Sequence, residues 1–448
     1  MVDRPSPEMI RRYAAPVPRY TSYPTANHFS DKVGAADYAD WLSALDPGTR
    51  LSLYLHIPFC TSLCWYCACS TRATERYQPV ADYLEALKVE TGLVASLLPP
   101  HGIESIHWGG GSPDIVAPDD IRRLGGLLRE RFSIVDGVEV AVEIDPRLLD
   151  PAKVDAFAAI GTTRVSLGVQ DFDPEVQAAI GREQSFEVTR RAVEAFRDEG
   201  VRSVNVDLVY GLPKQTVASV LQTLDRVEEL APDRIAIFGY AHLPTRMKNQ
   251  RLIEERYLPG VLERFELANA VTERLVAAGY VQVGIDHFAR PSDSMASGPV
   301  ARNFQGYTTD RAEALIGLGA TAIGRMPSGY VQNSVATHEY ARRVRSGQLA
   351  TARGSRLSAD DRMRAYVIER LMCDLVFSAD ELKTRFGAVA NPLVETARRL
   401  VRDDADGLVE PTRDGFRLTP IGRTFARSVC AQFDAYLGQS QAKHSLAV

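Results

Sequence analysis

The chain reads as an α/β protein organised around a parallel sheet, for two reasons. From residue 51 to about 240, short β-rich runs alternate with amphipathic segments. Those segments carry apolar residues at three- and four-residue spacing, the period of a helix with one buried face. Six strands follow in order: "LSLYLHI" from Leu51, "IESIHWGG" from Ile103, "VEVAVEID" from Val138, "TRVSLGV" from Thr163, "VRSVNVDLVYG" from Val201 and "RIAIFGYA" from Arg234. Between them, "VADYLEALKVETGLVASLL", "DDIRRLGGLLRERF", "PAKVDAFAAIG", "SFEVTRRAVEAFRDEG" and "TVASVLQTLDRVEEL" read as helices. Such alternation admits a barrel or a doubly wound sheet. In either, ligands gather where strands end at their carboxyl edge.

The flanks differ in character. Residues 1–50 form an N-terminal arm whose segment "RYAAPVPRYTSYPT" is rich in proline and tyrosine, shows neither period, and is expected to lie across the sheet domain of residues 51–350. Residues 351–448 turn helical, and "DGLVEPTRDGFRLTPIGRTFARSV" reads as a hairpin and helix, a winged-helix-like unit. With no dominant basic face, that unit is expected to pack or cover substrate rather than bind DNA.

Composition narrows the function. With 448 residues, 45% hydrophobic and 24% charged, the chain supports one large and one smaller domain. A net charge of −5 with no long charged run gives no footprint for nucleic acid or an anionic membrane, so small-molecule chemistry is favoured. No signal peptide and no stretch of eighteen apolar residues appears, so a cytoplasmic location is expected. Thiols stay reduced there, and a cysteine cluster points to a metal or to redox work.

"PFCTSLCWYCACST" holds such a cluster, with four of the six cysteines, Cys60, Cys64, Cys67 and Cys69. Cys60, Cys64 and Cys67, spaced CxxxCxxC after the first strand, are able to converge on one centre. Three thiolates on an iron–sulfur cluster leave one iron open, as a reactive cluster needs. A structural zinc is the competing reading, though it usually takes two CxxC pairs or added histidines. Cys69 is not expected to join the same coordination sphere, and Cys373 and Cys430 read as buried hydrophobes. Gly109, Gly110 and Gly111 end the second strand, where a tight turn is the simple explanation; no GK[ST] follows, so they are no phosphate loop. Glu143 and Asp207, carboxylates in apolar strands, need partners.

CxxxCxxC after the first strand, with Tyr66 before its third cysteine and "GGGSP" after the second strand, resembles the radical S-adenosylmethionine superfamily. "PRYTSYPT", "YLHIPFC", CxxxCxxCxC, "HWGGGSP", "VEIDPR", "SLGVQDF", "REQ", "NVDLVYGLPKQT", "YAHLPT", "GIDHFARP", "RNFQGYTT" and "GLGATAIG" together resemble, in order from about residue 10 onward, the oxygen-independent coproporphyrinogen III oxidase family. The resemblance implies a partial (β/α)6 TIM-like barrel with the arm and the C-terminal domain added. It implies a 4Fe-4S cluster on Cys60, Cys64 and Cys67, with S-adenosylmethionine chelating the fourth iron. Reductive cleavage of that cofactor would yield a 5′-deoxyadenosyl radical that takes hydrogen from a substrate propionate; carbon dioxide leaves, a vinyl group remains, and this happens twice.

Carried over position by position, the resemblance puts Tyr54, Tyr66, Gly110, Glu143 and Ile323 on a first S-adenosylmethionine. Gly111, Ser112, Gln170, Arg182, Asp207 and Ala241 fall on a second. The implied substrate, coproporphyrinogen III, carries four propionates, and Arg19 and Arg302 are candidates to meet them, with Tyr20 and Tyr23 covering the macrocycle or packing the arm. His56 and His287 are given no catalytic role. An external electron donor and acceptor are required, and no motif names either; a monomer is expected.

The sequence departs from the family at Trp65, Ala68, Ser70 and Thr71, none of them a ligand, and at Ser112, which keeps a hydroxyl where threonine is usual. Asp114 puts a carboxylate in place of a second threonine, and "PSDSMASGPV" is short before "ARNFQGYTT". A related haem-degrading methyltransferase and a non-catalytic haem chaperone are the rival readings; "PRYTSYPT" and Cys69 argue for the oxidase.

Overall fold

The computed structural model describes residues 4–438; the ends of the expected 1–50 and 351–448 units lie outside the described residues. The six expected strands form as β1 (Leu51–Ile57), β2 (Ile103–Gly110), β3 (Ile134–Ile144), β4 (Arg164–Gln170), β5 (Ser203–Tyr210) and β6 (Arg234–Gly239). Further strands are β7 (Val281–Val283), β8 (His287–Ala289), β9 (Ala314–Leu318), β10 (Ile323–Met326), β11 (Gly329–Asn333) and β12 (Thr351–Arg356). They share one sheet in the order β12-β11-β10-β9-β1-β2-β3-β4-β5-β6-β8-β7. β9 and β1 to β6 are mutually parallel, with antiparallel ribbons at both ends. β9 thus extends the six βα units with a parallel strand against β1, about 260 residues on in sequence.

The connecting helices start where local chemistry starts them. Asp150 caps Pro151–Ala159 through the Lys153 N–H, with proline at the first helical position, where its missing N–H costs nothing. Ser185 and Thr216 cap Phe186–Asp198 and Val217–Leu230 in the same manner. The apolar faces of these helices cover one side of the sheet: Leu87, Leu124, Phe157 and Phe196 pack with Leu53, Ile106 and Val165 in one core.

The other side is polar, and the two-residue period of the strands makes it so. Ser105 and His107, Glu139 and Glu143, Arg164, Ser166 and Gly168, Asn205 and Asp207, and Arg234 and Ala236 all line the main cavity. The carboxyl ends of the strands open onto it.

The arm is more structured than its composition indicates. Pro7–Tyr13 and Ala35–Ser43 are helices, and Ser6 caps the first. Met9, Ile10, Ala14, Tyr20 and Tyr23 are buried in a common core with Val367, Leu371, Phe377, Phe416 and Phe425 of the C-terminal unit. That core answers the question of Tyr20 and Tyr23: they are 4% and 2% exposed, with hydroxyls on Asp434 Oδ2 at 3.1 Å and the Ala435 N–H at 2.8 Å. Both tyrosines fasten the arm to the C-terminal unit.

β12 keeps the large sheet running past residue 350. Beyond it, helices Ala359–Cys373, Ala379–Phe386 and Asn391–Asp403 pack with a three-stranded sheet in which Gly415–Leu418 lies between Val376–Ser378 and Val409–Pro411. This is the winged-helix-like arrangement. Among the described residues no helix is long and apolar enough to cross a membrane.

Candidate active site

The cysteine loop leaves β1 and is folded back by short-range bonds. Phe59–Cys60 pairs in parallel with Arg72–Ala73, the Thr74 N–H reaches the Cys60 carbonyl at 2.8 Å, and the Cys67 N–H reaches that of Cys64 at 3.2 Å. Side chains distant in sequence hold the remaining carbonyls. Asn249 Nδ2 lies 3.1, 3.2 and 2.8 Å from the carbonyls of Cys64, Trp65 and Cys67. Gln250 Nε2 donates to the Tyr66 and Ala241 carbonyls at 2.8 and 3.1 Å. The Trp65 ring lies against Gly181, where a Cβ would stand 2.7 Å from it.

Cys60, Cys64, Cys67 and Cys69 all open into a cavity of about 660 Å³. Thr71 Oγ1 and Ser112 Oγ stand 3.3 and 3.8 Å from Cys60 Sγ. Arg182 and Arg147 reach Cys64 Sγ at 3.4 and 3.7 Å. The backbone N–H of Cys69 reaches Cys67 Sγ at 3.3 Å. Burial pushes the Cys60 thiol up to about 11 against the pull of these hydroxyls. Cys69 lowers Cys67 to about 7 against its own burial. These sulfurs are thus met by hydroxyl, amide and guanidinium donors that stabilise thiolate charge.

The same donors bear on what the loop holds. Among the described residues no group of three or more His, Cys, Asp or Glu closes on a single metal ion, while four thiols, three of them spaced CxxxCxxC, face one cavity. Three thiols spaced CxxxCxxC and met by hydroxyl, amide and guanidinium donors are a donor set that an iron–sulfur cluster takes. The residues present therefore fit the iron–sulfur cluster.

Around the loop stand most of the expected residues. Tyr66, Gly110, Gly111, Ser112, Glu143, Gln170, Arg182, Asp207 and Ala241 line the cavity. Gly110 has φ +116°, and a Cβ there would meet the His56 ring at 2.7 Å; at Gly111 it would meet the Phe59 carbonyl oxygen at 2.4 Å. Only glycine permits that approach. Gln170, with φ +70° at the end of β4, is a strained non-glycine at a strand edge, the kind of position that active sites hold.

Glu143 pairs with His107 Nε2 at 3.0 Å and the Gly110 N–H at 3.1 Å, not with an arginine. Burial would raise its pKa, but His107 and that N–H bring it below the usual carboxylate range. Asp207 takes Ser166 Oγ at 2.5 Å and Asn205 Nδ2 at 2.8 Å, while burial raises its pKa. Arg182 is locked by Asp145 at 3.2 Å and by the Gly168 carbonyl at 2.7 Å.

Two expected residues stand outside the lining. The Tyr54 hydroxyl is spent on His56 Nδ1 at 3.0 Å, and Ile323 begins the antiparallel ribbon beyond β9. His56 donates its other nitrogen to the Ser70 carbonyl at 2.9 Å, a satisfied core histidine. Asp114 is wholly buried behind the cavity wall, its Oδ1 3.3 Å from the Asp145 N–H, and burial with the charge of Asp145 pushes it up to about 7. It adds no full charge to the cavity. Sequence reasoning passed over His107, Asp145, Arg147, Asn205, Asn249 and Gln250; for the strand residues the two-residue period was the available signal, and for Asn249 there was none.

Comparison with known proteins accords with this geometry. Residues 54–227 match the radical SAM superfamily model and residues 357–425 the HemN C-terminal domain model. The chain is 44% identical over 446 residues to an oxygen-independent coproporphyrinogen III oxidase of Paracoccus denitrificans, covering 98% of both chains. It is 48% identical over 439 residues to one of Bradyrhizobium diazoefficiens, covering 96% of this chain and 97% of that protein. Among solved structures, coproporphyrinogen III oxidase (HemN) from Escherichia coli superposes with a TM-score of 0.89 at 38% identity, over 93% of this chain and 97% of that one. With relatives this similar along nearly its whole length, and with three thiols facing a cavity at the carboxyl ends of a parallel sheet, the chain belongs to the oxygen-independent coproporphyrinogen III oxidase family of the radical SAM superfamily.

Proposed function

We propose that the protein converts two propionate side chains of coproporphyrinogen III to vinyl groups without oxygen, giving protoporphyrinogen IX in haem biosynthesis. The observation that carries this reading is near full-length identity to oxygen-independent coproporphyrinogen III oxidases, in a chain whose three CxxxCxxC thiols face one large cavity. When bound, a reduced 4Fe-4S cluster and S-adenosylmethionine supply a carbon radical strong enough to take hydrogen from an unactivated propionate carbon.

The protein's part is to hold and shield. Cys60, Cys64 and Cys67 are the cluster ligands in this reading, with Arg147 and Arg182 offsetting sulfur charge at Cys64. Gly110 and Gly111, closed against His56 and Phe59, offer their backbone on the cavity to the methionine moiety, and the Glu143 carboxylate faces the cavity to receive its ammonium. Tyr66 joins this first cofactor site; Tyr54 and Ile323 act from behind the lining. Ser112, Gln170, Arg182, Asp207 and Ala241, with Gly111, form the place for a second S-adenosylmethionine. A net charge of −5 with no long charged run speaks against nucleic-acid or anionic-membrane partners, and the reading is completed by a cytoplasmic monomer served by an external electron donor and acceptor.

The test is an anaerobic assay with reductant, S-adenosylmethionine and coproporphyrinogen III, following 5′-deoxyadenosine and protoporphyrinogen IX. Cofactor cleavage without decarboxylated product would overturn the reading in favour of a sibling activity.

A further inference from the structure

The donors that meet the three candidate ligand sulfurs are unequal. Cys60 Sγ faces two hydroxyls, those of Thr71 and Ser112 at 3.3 and 3.8 Å, and Cys67 Sγ faces the Cys69 N–H at 3.3 Å. Cys64 Sγ instead takes cations, Arg182 Nη1 at 3.4 Å and Arg147 Nη2 at 3.7 Å. It is also the one buried cysteine of the three, and negative charge is most costly where water is excluded.

A single carboxylate holds both arginines in place. Asp145, directly after β3, caps the turn Pro146–Leu148 by accepting the Arg147 N–H at 3.2 Å. Pro146 fixes the start of that turn, and the same carboxylate takes Arg147 Nε at 3.0 Å and Nη2 at 2.7 Å. Arg182 Nη1 and Nη2 meet it from the other side at 3.2 Å each. Burial would raise the pKa of Asp145, but the Arg147 hydrogen bond and the charges of both arginines hold it below the usual carboxylate range. Two guanidiniums and one carboxylate therefore leave a single net positive charge beside Cys64. Asp114, behind Asp145, has its carboxyl pushed up to about 7 by burial and by Asp145, so it cancels only part of that charge.

The two arginines are not equivalent. Arg182 also donates to the Gly168 carbonyl at 2.7 Å and belongs to the second cofactor site in the proposed function. The Arg147 guanidinium ends on Asp145 and Cys64. Its side chain is 21% exposed, so solvent screens it only in part. Burial opposes its charge, yet hydrogen bonding to Asp145 lifts its pKa above the usual arginine value, and it stays a cation.

We propose that Arg147 sets the reduction potential of the iron–sulfur cluster, its charge held on Cys64 Sγ by Asp145 and favouring the reduced form; this rests on the cluster ligands of the proposed function. The step concerned transfers one electron from an external reductant to the oxidised cluster. No bond forms or breaks and no proton moves, so the added negative charge is met by the cation already beside the sulfur. Arg147 acts through that sulfur rather than on the substrate.

The test uses full-length, anaerobically reconstituted enzyme, wild type and carrying Arg147→Gln, Arg147→Met or Arg147→Lys. Iron and sulfide are counted first. A redox titration against viologen mediators without S-adenosylmethionine, followed by electron paramagnetic resonance of the reduced cluster, then gives the midpoint. Arg147→Gln and Arg147→Met are expected to make reduction about tenfold less favourable, a midpoint about 59 mV lower for a one-electron couple. Arg147→Lys, which keeps the charge, should stay close to wild type. Formation of 5′-deoxyadenosine should slow in the two neutral variants with dithionite and recover with the stronger reductant europium(II), a recovery that a distorted site would not show. Fully loaded neutral variants with reduction equilibria within twofold of wild type would overturn the proposal, as would Arg147→Lys shifted as far as Arg147→Gln. Loss of iron from both neutral variants would overturn it too, by making Arg147 a requirement for assembly. If the wild type assembles its cluster but makes no protoporphyrinogen IX, the functional reading falls, whereas the midpoints still decide the role of Arg147.

Discussion

Replacing Asn249 by alanine tests how the cysteine loop is held. One side-chain amide faces three loop carbonyls at 3.1, 3.2 and 2.8 Å, but an NH₂ group has two hydrogens, so two full hydrogen bonds are at stake. At roughly 1 kcal/mol net for each bond, the ordered loop loses about 2 kcal/mol, and its open form gains about thirtyfold in population. The loss falls on the loop and not on the core, because Asn249 belongs to the short 3₁₀ segment Lys248–Leu252 on the rim. The melting temperature should therefore drop by only a few degrees. The assay is anaerobic removal of cluster iron by a chelator, followed by absorbance, and the rate should rise about ten- to thirtyfold. Asn249→Asp, which sets acceptor against acceptor, should be faster still. Chelation rates within twofold of wild type in both variants would refute the clamp.

Other outcomes follow from the same geometry. Cys64→Ser should abolish cluster assembly, whereas Cys69→Ser should retain full iron and sulfide, measured on anaerobic protein; normal iron in the first would remove Cys64 from the ligand set. Gly111→Ala puts a Cβ 2.4 Å from the Phe59 carbonyl, and should weaken S-adenosylmethionine binding more than tenfold in equilibrium dialysis while the protein stays folded; unchanged affinity would show that the cofactor does not approach there. Glu90, wholly buried among Tyr340, Asn333 and the Gly319 N–H at 2.6 Å each, has its carboxyl pushed up to about 7 by burial. The native state then binds more protons than the unfolded state between roughly pH 4.5 and 7, so stability should fall as pH rises through that window, by up to about 3 kcal/mol. Glu90→Gln should flatten this slope in denaturant titrations at pH 5, 6 and 7.5, and an unaltered slope would assign it to other groups.

The amino-acid sequence by itself determined the six repeating strands, the helices between them and the CxxxCxxC spacing of the three candidate ligand cysteines. Each rests on a signal carried by neighbours: a period of two, a period near four, a cap, a spacing of a few residues. It also placed the site, since strand ends in a parallel sheet face one way. Tertiary structure decided the remainder. Asn249 meets Cys64 across 185 residues and Arg182 meets it across 118, and no local pattern marks an asparagine or arginine for such a contact. Tyr20 and Tyr23 looked available in a proline-rich arm until the C-terminal unit supplied a core to bury them. A cavity of about 510 Å³ that Arg19, Arg264, Arg302, Arg423 and Arg427 help to line is assembled from the arm, the helix Val261–Ala277, the strand Ala301–Asn303 and the segment 418–427, so its charge exists only where those segments meet. Local chemistry encodes elements and ligand spacing, whereas burial and charge at a point in space depend on what the rest of the chain brings there.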